Sequence, residues 1–228
     1  MSEWLSYELQ DFLLFSEATY WRLFERLNAE VWPLQPVVVA VFGAALSASL
    51  LWGRARRPLL GLLALAWLGV AFGFAPLYAE VNWAAAYVAP AFVVQAIALG
   101  AFATTATVRT SAFARKRGDL RAWMGAAIAA AALVLWPFAA IPLRGSLANA
   151  EVVGLAPDPT AVATLGFLTA FGGGRFAALL CLPPLVWCGL SALTLVGMGA
   201  SVEGFMMAAI PILALGALGA DVALRGRS

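Results

Sequence analysis

The chain has 228 residues, 63% of them hydrophobic, with 14 basic and 12 acidic side chains and a net charge of +2. This excludes a water-soluble globule, and the scattered basic residues form no stripe that could follow a phosphate backbone, so nucleic acid is excluded as a partner. Histidine is absent, which removes imidazole metal sites, His-ligated haem and Ser-His or Cys-His catalytic pairs.

The first residues, Met1-Ser2-Glu3-Trp4, lack the positive start of a signal peptide and are expected to remain in the mature protein. Ser2 to Phe15 reads as a short amphipathic helix with Trp4, Leu5, Leu9, Phe12 and Leu13 on its apolar face. A second begins after Ser16, a suitable N-cap, and carries Trp21, Leu23, Phe24, Leu27 and Val31 at near-helical spacing. The pair is expected either to lie in the membrane interface or to pack over the mouth of a bundle. Residues 1–34 are therefore assigned to amphipathic interfacial helices, and residues 35–228 to one transmembrane helical bundle.

A hydrocarbon core about 30 Å thick needs about 20 apolar residues per helix. Uncharged runs extend over Val31 to Gly53, Pro58 to Ala79, Val81 to Val108, Ala122 to Leu143, Pro159 to Gly174, Phe176 to Val202 and Gly204 to Ala220, which predicts about seven spans in an all-α polytopic bundle. The fifth run is the shortest and ends in three glycines, so a short span and a re-entrant segment are both open for it. With seven spans, Arg54, Arg56, Arg57, Arg109, Arg115, Lys116, Arg117, Arg121, Arg175, Arg225 and Arg227 fall on one side and Arg22, Arg26 and Arg144 on the other. Short basic loops stay in the cytoplasm, so the N-terminus is expected in the periplasm and the C-terminus in the cytoplasm, in a bacterial inner membrane.

Small residues at Gly43 and Ser47, Gly69 and Gly73, and over Ala126 to Ala132 suit close helix packing. Pro76, Pro90, Pro137, Pro183, Pro184 and Pro211 are expected to kink spans, although broken helices also build transport sites. Cys181 and Cys188 sit two turns apart on one helix face, and packing is a commoner use for them than a soft-metal path with Met198, Met206 and Met207. No P-loop, CxxC, GxGxxG or GxSxG motif occurs, so no cofactor and no catalytic residue is assigned.

Four polar residues are candidate ligands: Asn82, Gln95, Asp158 and Glu203. Asn82, Asp158 and Glu203, with Glu80, are expected at the outer rim, where acids can bind a cation or exchange protons. The plainer reading makes Asp158 and Glu203 helix-terminal caps stabilised by the dipole. Gln95 lies near the middle of the third run, where an interhelical hydrogen bond is the ordinary use and a substrate contact the other.

The pattern Asp11-Phe12-Leu13-Leu14-Phe15-Ser16, Thr19-Tyr20-Trp21-Arg22-Leu23-Phe24, Asn28 and Trp32-Pro33-Leu34-Gln35 continues through Asn82-Trp83-Ala84-Ala85-Ala86-Tyr87 and Gln95. It goes on through Pro157-Asp158-Pro159-Thr160, Leu165-Gly166-Phe167, Pro184-Leu185-Val186-Trp187 and Glu203-Gly204. Together these motifs resemble a family of small bacterial multi-pass membrane proteins known only as a domain of unknown function, whose members are often labelled transporter permease. The resemblance implies a fold and a membrane location, with Asn28, Gln35, Asn82, Asp158 and Glu203 on the outer side. Two departures stand out: a histidine upstream of the Asn motif is missing, and Asp158 stands where the pattern has a cysteine between two prolines.

The leading expectation is small-solute or ion binding and transport, with Asp158, Glu203 and Asn82 as ligands and Gln95 as a lining residue. A non-catalytic accessory or assembly subunit is the second reading, and a lipid- or quinone-linked enzyme with an outer carboxylate as acid or base is the third. The expected partners are the lipid bilayer and a second copy or another membrane protein.

Overall fold

The computed structural model describes residues 15–105 and 120–225. The short helix expected over Ser2 to Phe15 lies, apart from Phe15, outside the described residues. Eight helices follow one another: α1 (Glu17–Glu30), α2 (Leu34–Leu51), α3 (Gly53–Ala79), α4 (Ala85–Thr105), α5 (Leu120–Arg144), α6 (Pro157–Phe171), α7 (Gly174–Met198) and α8 (Ser201–Arg225). Six of them, α2 to α5, α7 and α8, are long and apolar enough to cross a membrane.

The fifth apolar run becomes α6, whose 15 residues span about 22 Å, short of a hydrocarbon core. All of them are buried, so α6 is the axis of the bundle and has no lipid-facing side. Helices α3, α5, α7 and α8 pack around it, while α2 and α4 lean on α3 from outside. The missing length is made up by residues 145–156, which leave the end of α5 and run inward as an irregular segment of consecutive turns. Gly154 touches the backbone of Gly69, more than two turns inside α3. The chain between α5 and α7 thus returns through the bundle as a turn-rich segment followed by a short helix, and among the described residues six helices, not the seven expected, are long and apolar enough to cross a membrane.

Arg26, Glu80, Arg144 and the start of α8 gather at one end of the bundle, which α1 covers. Arg56 and Arg121, together with the C-terminus of α6, mark the other end. Ser16 caps α1 as expected, its Oγ accepting from the Thr19 amide. The apolar face of α1 packs onto the bundle: Phe24 stacks on Phe74, and Phe15 meets Tyr78 edge to face. Of the two expected placements for α1, the mouth of the bundle is the one found. An exposed ion pair between Arg26 and Glu80, at 2.6 Å, ties its polar face to the α3–α4 turn, and the guanidinium holds the Glu80 carboxyl below its ordinary range. That contribution is present above the ordinary carboxylate pKa and fades as pH falls through the lowered one.

Three of the prolines, Pro76, Pro137 and Pro184, have structural explanations. In α3 and α5 a π-turn, over Val70–Phe74 and Ala131–Leu135, comes just before Pro76 and Pro137. The wider turn absorbs the clash of the ring with the preceding turn and the loss of its N–H. In α7, Pro184 leaves the Leu180 carbonyl without its helical donor, and the Gln95 amide fills the vacancy at 3.0 Å.

The tightest helix contact is between α5 and α6. A Cβ added at Gly125 would collide with the backbone of Gly166 and Ala170, and one added at Gly166 with that of Gly125 and Ala129. Gly43, by contrast, faces open space, and Ser47 bonds the Gly43 carbonyl of its own helix, so the close packing expected there is absent. Gly166→Ala is expected to destabilise the protein by about 1–3 kcal/mol, as overpacking does elsewhere, while Gly43→Ala leaves stability unchanged or raised; denaturant unfolding of both variants in mixed micelles measures the difference.

Candidate functional site

Beneath α1 the structure gathers a set of charged side chains whose components come from five helices and the inward segment. Arg144 ends α5 and is nearly fully buried. Its Nη2 pairs with Glu151 Oε2 at 2.6 Å, its Nη1 donates to the Asn149 carbonyl at 2.9 Å, and its Nε lies 3.5 Å from Glu203 Oε1, long for a hydrogen bond. The flat guanidinium lies over the ring of Trp21, 3.5 Å from its centre, so α1 supplies the cover of this cluster. The Trp136 indole also donates to Glu151, at 3.4 Å.

Asp158 lies deeper. Its Oδ1 accepts from the Trp187 indole and its Oδ2 from the Ser191 hydroxyl, both at 2.7 Å, and it is 1% exposed. Ser191 is two turns inside α7, about 10 Å from the end at Met198, and Trp187 is a further turn down. An acid expected at the rim therefore sits near mid-depth of the bundle, because residues 149–156 carry the start of α6 inward with them. It does not cap the amides of its own helix. Tyr20 on α1 is within electrostatic reach of both acids: burial first, then the charges of Asp158 and Glu151, push its hydroxyl well above the ordinary phenol range.

The four candidates separate into two groups. Asp158 and Glu203 join the buried cluster. Asn82 closes the turn between α3 and α4, donating to the Tyr78 hydroxyl at 2.6 Å and accepting from the Ala84 amide at 2.9 Å. Gln95 is spent on the Leu180 carbonyl. The members that sequence reasoning missed are Arg144, Glu151, Tyr20 and Trp21. A single Arg ending an apolar run with a Glu seven residues on was the available signal, but only the inward turn of the chain makes the pair buried.

The cluster holds three carboxyl groups, Glu151, Asp158 and Glu203, and one guanidinium, Arg144. Two acceptors in it, Glu151 Oε1 and Asn149 Oδ1, and one donor, Arg144 Nε, are buried without a hydrogen-bond partner. Such an arrangement attracts positive charge. Among the described residues no group of three His, Cys, Asp or Glu side chains has the geometry to hold a metal ion by itself, so a bound cation would have to draw on amide and carbonyl oxygens as well.

The model of a family of unknown function matches residues 17–223, which takes in every member of this cluster. The chain belongs to the family DUF6064. No curated protein and no solved structure matches it. In this DUF6064 chain, truncating Arg144 leaves Glu151 buried and uncompensated, so Arg144→Met is expected to cost about 3–5 kcal/mol. Adding Glu151→Leu to Arg144→Met removes the orphaned charge and should recover more than half of that loss; a double-mutant cycle of unfolding free energies in mixed micelles checks both statements.

Proposed function

We propose that the protein binds a small cation, a proton or a monovalent metal ion, in the cluster beneath α1 and passes it through the bundle in a permease-like manner. The observation that carries this reading is the excess of buried carboxyl groups over guanidinium, with Asp158 near mid-depth. Ionisable groups at membrane depth are costly, and those retained there commonly mark ion and proton pathways. The turn-rich segment leading into α6 supports it as well, since interrupted helices place backbone carbonyls and helix ends around transported ions.

In this reading Glu151 Oε1, Asn149 Oδ1 and Glu203 take the cation as it enters, and Asp158 receives it further in. Arg144 keeps the cluster from collapsing into a purely acidic, self-repelling pocket. Helix α1 is the cover: its Trp21 ring on Arg144 and its Arg26 pair with Glu80 hold the cluster shut, and its departure would open the site to solvent. We place the protein in a bacterial cytoplasmic membrane with α1 in the periplasm, on the strength of the basic residues that crowd the opposite end of the chain's spans.

Thermal unfolding in detergent with sodium, potassium and lithium chlorides against choline chloride, and across pH 5–9, is the direct test. One cation, or protonation, should raise the melting temperature of the wild type by mass action. Asp158→Asn and Glu203→Gln should each reduce or abolish that rise, and proteoliposomes should show a flux of the same cation that Asp158→Asn removes. Equal melting curves in every salt and at every pH, unchanged in both variants, would sink the cation reading and favour an accessory subunit.

A further inference from the structure

A groove of about 510 Å³ opens beside α1, against the segment that carries Asn149 and Glu151. It is bounded by the end of α1, the start of α2, the π-turn region of α5 and the loop at 147–152. Its lower wall is apolar, formed by Val39, Pro137 and Val152, and it opens sideways past Phe138 and Trp32, which are 56% and 71% exposed. Pro137 lies seven residues before the end of α5, so the groove reaches about 10 Å into the bundle from its α1 end. These are the dimensions and the lateral access of a lipid site at the level of the headgroups.

The polar lining selects the headgroup. The Gln35 amide nitrogen is committed to Asn28, both to its carbonyl at 2.7 Å and to its side-chain oxygen at 3.2 Å. The Asn28 amide in turn donates to the carbonyls of Ala148 and Ala150, each at 2.8 Å. Both side-chain amide donors on the wall are thereby used, while Gln35 Oε1 is buried with no partner. The Glu25 carboxylate stands at the same wall and no Lys or Arg lines it. The groove thus sets the Glu25 charge above an apolar floor, with the unpartnered Gln35 Oε1 in its wall and Trp32 at its opening.

We infer that this groove binds a phospholipid carrying a primary ammonium headgroup, as in phosphatidylethanolamine. The ammonium donates to Gln35 Oε1 and to Glu25, and one acyl chain follows the Val39, Pro137 and Phe138 wall. A quaternary ammonium has no N–H for Gln35, and an anionic headgroup meets Glu25 with no counter-charge. The lipid contacts α1, α2 and α5 together, so its occupancy steadies α1 on the bundle.

Native mass spectrometry of the full chain, titrated with phosphatidylethanolamine, phosphatidylcholine and phosphatidylglycerol of identical acyl chains, tests the inference. The first lipid bound should be the ethanolamine lipid, at an affinity about tenfold above the other two, the worth of one charge-assisted hydrogen bond. Glu25→Gln, at an exposed position, should lose most of that preference, and Val39→Trp, which fills the apolar wall, should lose the tight site. Equal affinity for the three lipids, or a preference unchanged in both variants, would overturn the inference. So would displacement of the lipid by millimolar soluble ethanolamine, which would make the groove a site for a free amine.

Discussion

The structure depends on one constraint: no backbone polar group at membrane depth can go without a hydrogen bond. Residues 149–156 break the helical ladder where that is most costly, and side chains from elsewhere in the fold restore what the ladder would have supplied. Asn28 of α1 donates to the carbonyls of Ala148 and Ala150, Arg144 to that of Asn149, and the Thr160 hydroxyl accepts from the Gly154 amide at 2.8 Å while donating to the Ala156 carbonyl. At the far end of α6, Arg121 donates to the carbonyls of Thr169 and Gly172, each at 2.7 Å, closing the helix that the inward segment leads into. The polar side chains of the interior are explained largely by this service to the backbone.

The same service brings the charges in. An arginine that reaches the Asn149 carbonyl is buried, and a buried guanidinium requires a carboxylate, which Glu151 provides from the segment itself. The pair is therefore a consequence of the broken crossing as much as a feature of a ligand site. Asp158 is different, since its two donors, Trp187 and Ser191, satisfy it without serving any main-chain group. Its bonds tie α6 to α7 but serve no main-chain group, and this sets it apart from Asn82 and Gln95, whose bonds are accounted for by a turn and a proline break.

Much of the architecture could be read from the chain. Runs of uncharged residues delimit the long helices within a few positions, and Ser16 marks the start of α1 through its capping chemistry. The structural use of Gln95 and of the prolines followed from the general cost of polar groups in lipid. What could not be read was depth. Composition alone makes Asp158 the first acid after a loop, and only the collision course of Gly154 with Gly69 reveals that the loop descends. The cluster suffered in the same way: Arg144 and Glu151 look like two loop charges until the path between them is known to point inward. Residues of α1 escaped notice because an amphipathic helix at an interface and one packed on a bundle have the same periodicity, and their difference lies in the aromatic partners Phe74 and Tyr78 on α3.

The contact between Gly125 and Gly166 bears on how the molecule can change shape. Packed helices slide past one another by small shifts absorbed in side-chain rotamers, and here two backbones meet with no side-chain layer between them. Helices α5 and α6 are consequently obliged to move as one body. Any rearrangement that exposes the charges under α1 has to be made by the helices around that pair, which turns the short central helix into half of the bundle's fixed frame.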